Sequence, residues 1–204
     1  MLMKTTKSTD VANPPIIPGT QHRNKAIVIN IFGGPGAGKT MMASRLFTAL
    51  KSHHMEVANP EEYAKRAVWR GEGHLLDEQL ILAGQIWKSL FETRNAVDII
   101  ILDSPLLLAA IYGKDKEDEH FAKAIASFHQ KDTRLNILLK RMTASHYDTR
   151  GRRENEFEAT QIDVAVQNKL QELQEPYLEC NNLEDTAQTL AKALAEWTTK
   201  DRLV

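Results

Sequence analysis

Eight consecutive residues, Gly33-Gly34-Pro35-Gly36-Ala37-Gly38-Lys39-Thr40, constrain this chain more than any other stretch. They fit G-x-x-x-x-G-K-[ST], a glycine loop that cradles phosphate. Ala26-Ile27-Val28-Ile29-Asn30-Ile31-Phe32 precedes the loop and reads as a buried strand. Met41 to Leu50 follows it and reads as a helix. Strand, glycine loop and helix together are the context in which the pattern has physical meaning. Glycines let successive backbone N–H groups turn toward an anion with no Cβ in the way. The helix N-terminus adds partial positive charge and unpaired donors. Lys39 can reach the β- and γ-phosphates of a nucleotide, and the Thr40 hydroxyl can ligate Mg²⁺. Gly33, Gly34, Pro35, Gly36, Ala37, Gly38, Lys39 and Thr40 are therefore candidate nucleotide contacts.

A chain of 204 residues suits one α/β domain. Its net charge of −1 supplies no global basic field for nucleic acid, which leaves only a local basic groove for such a partner. Cys180 is the single cysteine, so an internal disulfide is excluded and a reducing, cytoplasmic setting is expected. No apolar run approaches a membrane span. Residues 1–24 are polar, carry Pro14, Pro15 and Pro18, and show no helical or strand period. They read as a flexible tail ahead of a domain at 25–204, without the apolar core of a signal peptide. Nothing in the composition selects an oligomeric state.

The first helix is expected from Gly38 to about His53, with His53-His54 at its C-terminal end as dipole-end residues. A short second strand includes Glu56-Val57-Ala58. In a parallel sheet its C-terminal end lies beside the nucleotide site, and a carboxylate there can accept a proton from an attacking hydroxyl. Glu62 is the first candidate for that base and Glu61 the second. Trp69 either walls an acceptor site or is core. A helix is expected from about Leu75 to Glu92, with an apolar stripe of Leu76, Leu80, Ala83, Trp87, Leu90 and Phe91. Gln79 near its start either reads a base edge or is an exposed helix-face residue. Val97 to Pro105 is a β-branched run ending in Asp103, the Walker B pattern, in which Asp103 holds Mg²⁺ directly or through water.

A further strand is expected at Leu135–Leu139, followed by Lys140-Arg141 and a basic, turn-rich segment, His146 to Arg153. Helical period resumes from Glu154 to Leu173 with Phe157, Ile162, Val166 and Leu170. A basic loop between a strand end and a helix is where a kinase lid sits, with arginines that neutralise charge on a transferred phosphoryl group. Arg141 and Arg150 are candidate nucleotide contacts and Arg152 a candidate catalytic residue. Pro176 to Cys180 reads as the last strand, and Leu183 to about Thr198 as the closing helix, with Trp197 as core.

The guanine-reading N-K-x-D is absent, Asp103-Ser104-Pro105-Leu106 is not a GTPase switch, and no L-S-G-G-Q transporter signature occurs. What remains is a compact α/β domain with a strand-end acid, a Walker B Asp and a basic lid, a constellation suited to phosphoryl transfer to a small hydroxyl acceptor.

Gly33–Thr40, Glu62-Tyr63-Ala64-Lys65, Leu76-Asp77-Glu78-Gln79, Asp103-Ser104-Pro105 and Tyr147 with Gly151-Arg152 together resemble small P-loop kinases common in phage genomes. These are similar to the thymidylate kinase and nicotinamide riboside kinase-like groups. They include phage kinases acting on 5-hydroxymethyldeoxyuridine in DNA, where thymidine is hypermodified. The resemblance spans about Ala26 to Cys180. It implies the α/β fold of a P-loop NTPase, a three-layer α/β/α sandwich with a mainly parallel doubly wound sheet, together with ATP and Mg²⁺, direct transfer of the γ-phosphoryl, Glu62 orienting or deprotonating the acceptor, Lys39 and Arg152 stabilising the phosphoryl, and Asp103 serving the metal. It also implies DNA as a partner, and a host cytoplasm if the chain is phage-encoded. Where thymidylate kinases carry D-R-x-x after the second strand, this chain has Glu61-Glu62-Tyr63. That departure favours a neutral hydroxyl over a nucleoside monophosphate. The alternatives are a kinase for a free nucleoside, nucleotide or small metabolite, and a regulatory ATPase that transfers nothing.

Overall fold

The computed structural model describes residues 26–60, 67, 69–112, 118–141 and 155–201. The expected tail at 1–24, the candidate bases Glu61 and Glu62, and the basic segment with Arg150 and Arg152 lie outside the described residues.

Five strands form one parallel sheet: β1 (Ile27–Phe32), β2 (Val57–Ala58), β3 (Ile99–Leu102), β4 (Arg134–Leu139) and β5 (Leu178–Cys180), in the order β2-β3-β1-β4-β5. The helices described in full among these residues are α1 (Lys39–Ser52), α2 (Gln79–Thr93), α3 (Glu119–His129), α4 (Glu156–Glu172) and α5 (Leu183–Asp201). Short 3-10 turns occur at Gly73–Asp77 and Leu106–Ala110.

Both sheet faces are covered, which is why the strands read as continuous apolar runs rather than alternating ones. Ile27, Ile29 and Ile31 face α1 and α5, whose Leu46, Leu50, Leu190 and Leu194 complete that layer. Phe32 and Leu138 face the other layer, built from α3, α4 and the 106–110 turn. The chain passes from β3 to β4 across β1. This is the switch point at which open α/β sheets bind ligands, outside the carboxyl ends of the strands.

Two helices end the same way. His54 (φ 59°) and Gln174 (φ 53°) adopt the left-handed conformation just after α1 and α4. The next N–H reaches back to the helix, Met55 to Leu50 O at 3.3 Å and Glu175 to Leu170 O at 2.9 Å. These are Schellman ends, which commonly use glycine. The first explains the histidine pair at the end of α1, and the second turns Glu175 into the interior, where it is only 4% exposed.

The apolar stripe of α2 is corrected in part. The helix buries Gln79, Leu82, Ala83 and Leu90, whereas Leu80 and Phe91 stand exposed. Its apolar positions wrap further around the helix than its single contact face, so period alone overcounts the core. Phe157 on α4 is exposed for the same reason. Trp69 is 71% exposed, which removes its reading as core.

Candidate nucleotide site

β1 is flanked by β3 and β4, so the carboxyl ends of three strands converge. β1 delivers the glycine loop, β3 delivers Asp103, and β4 delivers Arg141. Chain order alone puts these three more than sixty residues from the first to the second and about forty more to the third; the sheet makes them neighbours.

The loop closes onto α1 through Gly38, which sits at φ 94° in the N-cap position. A side chain there is strained, and glycine removes that strain. No acid occupies the first turn of α1, so its positive end is left to the loop. Lys39 Nζ donates to the carbonyl oxygens of Gly33 at 2.8 Å and Gly34 at 3.0 Å. The ammonium is thereby folded over the loop.

Thr40 Oγ1 donates to Asp103 Oδ2 at 3.0 Å. Asp103 is only 7% exposed. A hydroxyl and a carboxylate side by side at the mouth of a phosphate loop are hard oxygen donors, the type Mg²⁺ prefers. No group of three or more His, Cys, Asp or Glu that could cage a metal occurs among the described residues. Mg²⁺ keeps waters and phosphate oxygens and takes only one or two protein ligands, as this pair would supply.

Arg141 is held in place rather than splayed. Its Nε donates to Asp163 Oδ2 at 2.7 Å, and its Nη2 donates to Pro35 O at 2.9 Å and Ala159 O at 3.5 Å. Asp163 Oδ1 accepts from the Gly34 N–H at 2.6 Å. Asp163, on α4, is the residue that sequence reasoning missed. Its signal was an acid among the buried Ala159, Val166 and Leu170, on the inner face of an amphipathic helix. Gln79 is not an exposed helix-face residue: it is buried, and its Nε2 donates to Leu76 O at 2.6 Å.

A family model described as an AAA domain matches residues 28–186. The chain belongs to this AAA domain family. The match runs from β1 into α5 and so takes in the glycine loop, Asp103, Arg141 and Asp163. No protein of curated function matches the chain. Among solved structures, it is similar to a NadR protein crystallised in complex with NR, at a TM-score of 0.59 and 16% identity, over 85% of this chain and 52% of that one. It therefore spans about half the length of that relative. A second structure, of APE1195, matches at a TM-score of 0.45 and 22% identity, over 87% of this chain and 96% of that one. The α/β architecture and the P-loop NTPase-like fold expected from the sequence are those observed.

Proposed function

We propose that this AAA domain family member is an ATP-dependent kinase that transfers the γ-phosphoryl of ATP to a hydroxyl of a nucleoside-type acceptor. The observation that carries this reading is the convergence of Lys39, the Thr40–Asp103 pair and Arg141 at one end of the sheet. The likeness to a NadR protein crystallised in complex with NR supports the nucleoside class.

In this reading Lys39 and the amides of the loop bind the β- and γ-phosphates. Thr40 and Asp103 would hold Mg²⁺, which would neutralise charge on the phosphate oxygens. Glu62, with Glu61 as its substitute, orients the acceptor and takes its hydroxyl proton. The acceptor oxygen forms a bond to phosphorus as the bond to the ADP oxygen breaks, with ADP leaving. Arg141 and Arg150 contact the nucleotide, and Arg152 with Lys39 stabilises the transferred group, a role worth roughly 10³-fold or more in rate for such arginines. The catalytic domain is residues 25–204, and residues 1–24 are a tail outside it.

Two acceptors compete. The NadR neighbour's complex with NR favours a free nucleoside. The resemblance to phage kinases favours the hydroxymethyl of 5-hydroxymethyldeoxyuridine in DNA, and with it a host cytoplasm. ATP labelled on the γ-phosphate separates them. Label on a nucleoside or nicotinamide riboside identifies a free-nucleoside kinase. Label on DNA only when it contains 5-hydroxymethyluracil identifies a DNA-base kinase. Free phosphate with no labelled acceptor sinks the kinase reading in favour of a regulatory ATPase.

A further inference from the structure

An acid on the inner face of α4 is costly to bury unless it is paired and hydrogen-bonded. Asp163 has both kinds of partner, and both belong to the nucleotide site. One oxygen takes the Gly34 N–H at 2.6 Å, and the other takes Arg141 Nε at 2.7 Å. Arg141 returns to the loop through Pro35 O at 2.9 Å. The contacts form a closed ring: loop to helix, helix to strand end, strand end back to loop.

The ring reaches the lysine at the start of the glycine loop. Asp163 grips the N–H of Gly34, while the carbonyl of Gly34 accepts from Lys39 Nζ at 3.0 Å and from the Ala37 N–H at 3.2 Å. The Gly33–Gly34 peptide is planar, so fixing the Gly34 N–H also fixes Gly33 O, which accepts from Lys39 Nζ at 2.8 Å and orients the ammonium. The approach of α4 is close enough that a Cβ at position 34 would lie 2.6 Å from Ala159 O and 2.7 Å from Asp163 Oδ1.

We propose that Asp163 is a positioning residue of the nucleotide site, holding the loop's leading edge and Arg141 with one carboxylate so that Lys39 is aimed before a nucleotide arrives. The inference rests on the nucleotide-binding part of the reading above and not on the identity of the acceptor. Preorganisation of this kind shows as affinity, because the loop need not be ordered on binding.

The test is equilibrium binding of ATP with Mg²⁺ by calorimetry, with a thermal melt on each variant of the full chain. Asp163→Ala should weaken ATP binding about tenfold or more, measured well below its melting temperature. Asp163→Asn keeps an oxygen for the Gly34 N–H but loses the charge facing Arg141, so its loss should be smaller. The double variant Asp163→Ala/Arg141→Ala should bind no worse than the weaker single variant, since both break one ring. If Asp163→Ala fails to fold, Asp163→Asn and Arg141→Ala carry the test, each expected to weaken ATP binding. Lys39→Ala is the control. Loss of binding in Lys39→Ala with wild-type affinity in the Asp163 variants overturns the proposal and leaves the nucleotide site standing. A lowered melting temperature with unchanged affinity also overturns it, because that is a purely structural role. Wild-type binding in Lys39→Ala overturns the nucleotide site and this proposal together.

Discussion

Single residues in the loop are tied to neighbours that leave no room for substitution. Gly34→Ala would set a methyl group 2.6 Å from a backbone oxygen that has no flexible end to give way. The α4 backbone or the loop must shift, at a cost of roughly 1–3 kcal/mol for such overpacking. Gly34→Ala should therefore lower the melting temperature and weaken ATP binding in the same protein. Retention of both would show that the loop and α4 are less tightly joined than the contacts state. Cys180 illustrates the opposite case. Burial raises its thiol pKa, an effect that outweighs hydrogen bonds to Thr186 and Asn182. A neutral, 1% exposed thiol should react with a thiol reagent only after unfolding, on the timescale of global opening. Rapid labelling of the native protein would contradict this placement.

At the scale of elements, helix ends carry much of the architecture. α4 begins with a capping box, in which Asn155 Oδ1 accepts from the Glu158 N–H at 3.0 Å and Glu158 Oε2 accepts from the Asn155 N–H at 2.8 Å. It ends at Gln174, a non-glycine residue at φ 53°. A left-handed residue with a Cβ is strained by about 1 kcal/mol. Gln174→Gly should stabilise the fold by about 0.5–1 kcal/mol in denaturant melts, the relieved strain being partly offset by a freer unfolded chain. A destabilised variant would mean that the glutamine side chain holds Glu175 in place. The strands and the order of helices were legible in the sequence, because apolar runs and 3.6-residue periods survive without tertiary context. The faces were less so. Leu80 and Phe91 matched the period of α2 and are nonetheless exposed, since one contact face cannot cover so wide an apolar surface.

At the scale of the whole molecule, Glu175 joins elements far apart in sequence. Arg134 meets it with two nitrogens at 2.8 Å, and Gln130 donates at 3.0 Å. Asn136 donates to it at 3.2 Å and accepts from Asn30 at 3.0 Å, extending the network across β4 to β1. His129 Nε2 stands 3.6 Å away, just beyond the usual hydrogen-bond distance. Burial is the largest single influence on the Glu175 carboxyl and raises its pKa. The His129, Arg134 and Gln130 side chains together outweigh it and hold the pKa well below the usual carboxylate range. The folded value lies under the unfolded one, so the stability this group contributes is complete above the unfolded pKa of about 4.3. It is lost as pH falls below that value. Glu175→Gln leaves Arg134 without its counter-charge and should cost about 3 kcal/mol at neutral pH. Its melting temperature should also fall less steeply than that of the unaltered protein below pH 4. Parallel acid slopes for the two proteins would remove Glu175 from the network's electrostatics.

The sequence by itself determined the phosphate loop, its strand–loop–helix setting, Asp103 at the end of an apolar strand, and a parallel α/β sandwich. All of these are local patterns, in which backbone geometry and side-chain chemistry sit within a few residues of one another. Only the tertiary structure decided which acids matter. Asp163 and Glu175 are two of 27 acidic residues; the phase of α4 marks Asp163 as inward-facing, but nothing local names the partner of either acid. Their roles follow from helix phase and from the stacking of α4 against the loop and the sheet. That stacking brings Asp163 to Gly34 across 129 positions and Glu175 to Arg134 across 41. Contacts of that span depend on how layers pack, and packing is a property of the folded whole.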